Sequence, residues 1–359
     1  MIAPPAARWA SVRPGCPVSP SRPSLHAPRT TSARRVVIRS KADLGVERTL
    51  TDFRGDAARR ALMRLDNLLS GVGDGEDELL NNVLASQPAP SKLMLSTCAG
   101  VIVITACTVA CWLCGNDPLG GASFSTDSLF AALLGVGASV PLILLRRMLW
   151  NPKLIRESPV LQQLTLREAK YLEPLISGLT KPQQAVILLT DSLTIVMIML
   201  PTLMGCIKSS LTVYFDIVQE QTGFHMPGFL PLGVALGLSS VIYAIGRFGN
   251  TNHTEDEVSV VVDAITNADR YYRVMSVTDG NRQDPLLNAT AFKMVAADWL
   301  TRAHSAAMLT GVIGFFDIIY LGMLWQITGD LTAPAMVAIL CSAVEYDCIT
   351  KTYGLGQQE

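Results

Sequence analysis

The chain has 359 residues, of which 49% are hydrophobic and only 16% charged, and its formal net charge is −1. Mean hydropathy is +0.33. Soluble domains carry about 25% charged residues, so the composition points to one polytopic membrane domain with polar flanks, and the near-neutral balance excludes a global field that draws nucleic acid.

Residues 1–42 contain no Asp or Glu, and Asp43 is the first acid. They are rich in Ser, Pro, Ala and Arg, and close on Arg34-Arg35-Val36-Val37-Ile38-Arg39-Ser40-Lys41 without the apolar core of a secretory signal. This reads as a transit peptide, and the Ser/Pro/Arg mixture without a clear amphipathic helix favours chloroplast over mitochondrion. The polar segment 43–92 follows. From Asp52 to Leu69, the residues Ala57, Ala61, Leu62, Leu65, Leu68 and Leu69 recur at helical spacing, until Gly71 to Gly75 breaks the pattern. Arg54, Arg59, Arg60 and Arg64 give this amphipathic helix a basic face. It suits either a membrane surface or a solvated helix packed on its neighbours.

A membrane domain is expected over 93–348, with a tail at 349–359. Its apolar runs lie at about 93–113, 128–145, 183–206, 228–248, 305–327 and 332–346. The first five cross most of a hydrocarbon layer of about 30 Å, and the sixth is short enough to be buried or tilted. The loop 115–127 has no Lys or Arg, whereas 146–182 carries Arg146, Arg147, Lys153, Arg156, Arg167, Lys170 and Lys181. Loop 207–227 has only Lys208, and 249–304 carries Arg270, Arg273, Arg282, Lys293 and Arg302. Retained positive charge marks the cis side of insertion, which in a plastid is the stroma, so both termini are expected there, in thylakoid or inner envelope. The insertion 249–303 is too long to lack structure, and one or two interfacial or stromal helices are expected in it.

Most of the eight cysteines fall inside apolar runs. Cys111-Trp112-Leu113-Cys114 has the form of a redox or metal pair. Its setting at a membrane-helix end, with no strand and no second pair of ligands, favours simple packing by small, soft side chains.

Three stretches carry a resemblance: Asp191-Ser192 ahead of Pro201, Tyr243-Ala244-Ile245-Gly246-Arg247, and Thr328-Gly329-Asp330-Leu331-Thr332-Ala333-Pro334. Over roughly 130–345 the chain resembles the CPBP family (CAAX protease and bacteriocin-processing) of intramembrane metalloproteases. That family carries Glu-Glu-x-x-x-Arg, Phe-x-x-x-His and, after a Thr-Gly-Asn/Ser-Leu-x-Ala-Pro turn, His-x-x-x-Asn. The resemblance implies an all-α polytopic bundle of about six transmembrane helices, in which glutamate activates water and two histidines hold the metal. Here the glutamate pair falls on Asp191 and Ser192, with the motif arginine on Val196. Tyr243 and Arg247 stand for Phe and His, and Ala338 and Ser342 for His and Asn. A methyl group cannot ligate a metal, and an arginine stays protonated and repels a cation. The expectation is a CPBP-like frame with a degenerate site, a pseudoprotease that needs no cofactor.

The four histidines are His26, His225, His253 and His304. The topology puts His225 across the membrane from the last two. His253 and His304 with Glu255 therefore form the alternative metal set, which would take zinc. Ionisable groups inside a membrane are expensive and so informative. Asp191 lies about eight residues, or 12 Å, into the third run. Arg247 closes the fourth run, and Asp317 lies near the middle of the fifth. Besides a plain positive-inside anchor, Arg247 is expected to pair with Asp191, or alternatively with Asp317, where the family keeps its metal.

The leading expectation is a binding, scaffold or regulatory protein whose partners are membrane lipids and other plastid membrane proteins or peptides, with no nucleic acid. One alternative is an active membrane metalloendopeptidase with atypical ligands. Another is a small-solute transporter built around Asp317 and Arg247, against which stands the lack of a paired inverted repeat or broken half-helices.

Overall fold

The computed structural model describes residues 55–72, 83–84, 86–222, 227–251, 255–278 and 285–353. The transit peptide expected over 1–42, with His26, lies outside these residues, as do His225 and His253. Every regular element described is helical. In chain order the helices are α1 Gly55–Val72, α2 Ala89–Leu113, α3 Thr126–Leu149, α4 Pro152–Glu157 and α5 Pro159–Ile176. They continue with α6 Lys181–Thr222, α7 Leu230–Thr251, α8 Glu255–Thr266, α9 Ala268–Thr278, α10 Pro285–Thr328 and α11 Thr332–Tyr353. Six of them (α2, α3, α6, α7, α10 and α11) are long and apolar enough to cross a membrane.

Local chemistry sets the helix starts. Ser125 caps α3 by accepting from the Ser128 N–H, Ser158 caps α5 in the same way, and Thr180 with Gln183 forms a capping box on α6. Within α6, Pro201 removes a backbone donor, and the helix widens into a π-helical turn over Ile198–Met204. The Thr202 hydroxyl donates to the Met197 carbonyl at 2.8 Å across that turn.

Two helices exceed their apolar runs. α6 has 42 residues and α10 has 44, where runs of 183–206 and 305–327 were expected. The insertion 249–303 is accordingly not a separate segment. α8 and α9 fill its first part, and from Pro285 onward it is already α10. The loop 146–182 likewise proves to be two helices, α4 and α5, with α5 packed on α10, α11 and α7.

The main core joins Leu200 and Met204 of α6, Ala235 of α7, Ile318 of α10, and Ala333 and Val337 of α11. α7 meets α10 over a small-residue seam. A Cβ on Gly311 would sit 3.2 Å from the Ala244 carbonyl oxygen, and one on Gly314 3.1 Å from the Tyr243 ring, the close backbone approach that small residues permit between membrane helices. A second core is formed by Ala61 and Leu65 of α1, Val261 and Ala264 of α8, Ala268 of α9, and Phe292 and Ala296 of α10. The apolar face of α1 is thus buried against protein. Its Arg64 guanidinium stacks 3.6 Å from the Tyr271 ring centroid and 4.3 Å from that of Phe292.

At the opposite end, the α10–α11 turn is built on Asp330. Its carboxylate accepts from the Ser128 hydroxyl at 2.5 Å, and from the Thr332 N–H and hydroxyl, both at 2.8 Å. Burial pushes this carboxyl up, but those hydrogen bonds outweigh it and hold the pKa below the usual aspartate range. A depressed carboxylate contributes stability above its unfolded value and loses it as pH falls through the folded one. Asp330→Ala is therefore expected to lower stability in detergent by about 1–2 kcal/mol, the upper range for a lost helix cap. The gap from wild type should be complete above about pH 4 and shrink below it. Thermal unfolding measured across pH checks this, and a gap that does not change with pH would contradict it.

Candidate functional site

The end of the bundle next to α5 holds a cluster of buried charge. Arg146 lies in the last turn of α3, about 30 Å along that helix. Its side chain reaches back into the bundle. Nη1 donates to Glu345 Oε2 on α11 at 2.6 Å, and Nη2 pairs with Asp317 on α10. The side chains of Arg146, Asp317 and Glu345 are only 11%, 17% and 20% exposed. Beside this triad, Arg247 of α7 donates to Glu168 Oε1 of α5 at 2.9 Å. Burial raises the Glu168 pKa, with the Arg247 charge opposing and the Glu345 charge reinforcing the rise. The triad thereby ties α3, α10 and α11 together, and the neighbouring pair ties α5 to α7.

Both expected pairings of Arg247 are corrected by this arrangement. Its ion-pair partner is Glu168 rather than Asp191, and Asp317 is held by Arg146. Asp191 lies within electrostatic reach of Arg247 and Tyr171, on an exposed part of α6. α5 explains the outcome, because it lays Glu168 against the end of α7 from a segment expected to be loop. Tyr243, one turn before Arg247, lies within electrostatic reach of both arginines, Asp317 and Glu345. Ser192 is buried, Ala338 packs against the main core, and Ser342 is half-buried.

A small cavity opens between the two ion-pair groups, lined by Arg146, Glu168, Arg247 and Glu345, with Thr165 and Thr310 beside them. Among the described residues no three His, Cys, Asp or Glu side chains are grouped to hold a metal. His304 is exposed, with its ring edge-on to Phe248 at 5.8 Å between centroids. The side chain of Glu255 lies outside the described residues. In chemical terms the cluster is a fork of charge-assisted hydrogen bonds, suited to joining helices.

Arg146, Glu168 and Glu345 were not singled out from the sequence. Arg146 counted only as a positive-inside charge. Glu345 did leave a signal, as an acid inside the sixth apolar run.

No family model, curated protein or solved structure matches the chain. Its fold places it in the class of all-α polytopic helical bundles, with helices suited to a membrane.

Proposed function

We propose that the protein is an integral plastid membrane protein with a CPBP-like bundle that no longer hydrolyses peptides and instead binds, scaffolds or regulates other membrane proteins. One observation carries the reading. Arg247, at a position where the resemblance expects a metal-binding histidine, is committed to Glu168 at 2.9 Å. Ala338, at another such position, is a methyl group. The layer of α1, α8, α9 and the first half of α10 has its own core and supplies a surface outside the spans for a protein partner. The Lys/Arg asymmetry supports a stromal location for that layer.

Metal analysis and a cleavage assay on the purified protein test the first half of the reading. No stoichiometric zinc and no cleavage of prenylated or membrane peptides are expected. One zinc per chain, lost together with cleavage in His304→Ala, would restore the protease. For the second half, residue-specific cross-linking from α8 and α9 in intact membranes should give a defined membrane-protein adduct. Its absence would retire the scaffold role.

A further inference from the structure

At the end of the bundle opposite the charge cluster, α2 closes on Cys111-Trp112-Leu113-Cys114. The chain then folds back, with the Asn116 N–H donating to the Cys111 carbonyl at 2.9 Å. This turn is pressed onto α6 at its π-helical segment and the turn that follows. Cys111 Sγ lies 3.4 Å from Thr202 Oγ1. Asn116 Nδ2 donates to Cys206 Sγ at 3.7 Å, and the Ser209 hydroxyl fixes Asn116 by donating to its Oδ1 at 2.5 Å. Gly205 packs beside Asn116, whose Nδ2 would be in ordinary contact, 3.6 Å, with a Cβ built there. Asn116, two residues after Cys114, brings the Cys206 thiol to this turn, within electrostatic reach of Cys114 and Cys111. The helices thus supply what the Cys-x-x-Cys spacing lacked, a further thiol from a distant part of the chain. All three are free: Cys114 is exposed, Cys206 half-buried and Cys111 buried.

We propose that Cys114 and Cys206 form a reversible redox pair that exchanges with the active-site disulfide of a dithiol–disulfide oxidoreductase. Exposure selects Cys114 as the attacking group, since a partner disulfide can reach it and cannot reach Cys111. The Cys114 thiolate attacks one sulfur of the partner disulfide, forming a mixed disulfide and releasing one partner thiolate, which takes up a proton. Cys206 then gives up its proton, and the amide of Asn116 supports the resulting thiolate by hydrogen bonding to its sulfur. That thiolate attacks Cys114 Sγ and expels the second partner sulfur. Two electrons and two protons pass to the partner, which leaves as a dithiol, while the chain keeps a Cys114–Cys206 disulfide. A reduced partner reverses every step.

The structural result is a covalent tie between α2 and α6. α2 rests chiefly on α6 within the bundle, so this bond decides how firmly the first span is held. The inference rests on the contacts of the α2 turn with α6 and on the exposure of Cys114, not on the proposed function.

Full-length protein in detergent, titrated with glutathione of increasing oxidised share, tests it. Maleimide capping and peptide mapping supply the readout. Oxidation is expected to remove two cappable thiols and to join a peptide of α2 to one of α6 through Cys114 and Cys206, with dithiothreitol restoring both thiols. Cys111→Ser should retain the bond, whereas Cys114→Ser and Cys206→Ser should each abolish it. A Cys111–Cys114 bond in the wild-type protein, or no loss of thiols at full oxidation, would overturn the proposal. The wild-type map decides the matter even where a serine variant fails to fold.

Discussion

Arg146→Leu is expected to destabilise the bundle by about 3–5 kcal/mol, the usual cost of stripping one partner from a buried ionic group. The guanidinium is the common partner of Asp317 and Glu345, which are 17% and 20% exposed. Without it, two carboxylates share one site and repel each other. At an effective dielectric constant near 20, unit charges about 4 Å apart interact by about 4 kcal/mol. Removing all three charges together, as Arg146→Leu with Asp317→Asn and Glu345→Gln, should recover most of the loss. Arg146→Lys should recover only part, because an ammonium cannot fork to two carboxylates with the fixed geometry of a guanidinium. Thermal or denaturant unfolding in detergent checks the series. A cost below about 1 kcal/mol, the level of an exposed pair, would show that water reaches these charges and that the cluster holds nothing together.

Gly121→Ala should be the second severe change, at about 2–5 kcal/mol, and Gly115→Ala provides its control. Both glycines have positive φ, +88° at Gly121 and +72° at Gly115, so an alanine at either pays the left-handed backbone penalty of about 1–2 kcal/mol. Only Gly121 is also crowded: a Cβ there would overlap the Gly329 carbonyl oxygen, whereas one on Gly115 meets nothing. Overpacking against backbone adds about 1–3 kcal/mol. The site cannot relax easily. Asp117 holds the Gly121 N–H at 2.7 Å, while the neighbouring Gly120 carbonyl accepts from Trp325 Nε1 at 2.9 Å and from the Leu331 N–H at 3.1 Å. Paired melting curves decide the point. Equal losses in the two variants would mean that the contact between the loops yields freely.

Much of this fold could be read from the chain because a bilayer demands long apolar runs, and such runs are easy to see. The observed α2, α3 and α7 lie within a few residues of their runs. What hydropathy could not show is where a helix continues past its apolar run. α10 begins 20 residues before its apolar run, at Pro285. The clue present was negative: from Leu286 to Thr310 there is neither Gly nor Pro to stop it. The charge cluster was harder. Arg247, Asp191 and Asp317 could be marked as costly, but their partners depended on α5, whose polar, Lys- and Arg-bearing sequence resembles a connecting loop. Glu168 became a candidate only once that helix was packed. The three thiols illustrate the same limit, since Cys206 is remote in the chain from Cys111 and Cys114.

The length of α10 has a mechanical consequence. Its 44 residues form a rod of about 66 Å. One half is set in the core with α1, α8 and α9, and the other carries Gly311, Gly314 and Asp317 into the bundle. A rod without a joint turns small rotations into large displacements. Tilting it by about 5° about its first turn moves Asp317, about 48 Å along the helix, by about 4 Å, more than the length of a hydrogen bond at the Arg146 fork. Force applied to the outer layer is thus delivered, with the leverage of a crowbar, to the charges that hold the spans together.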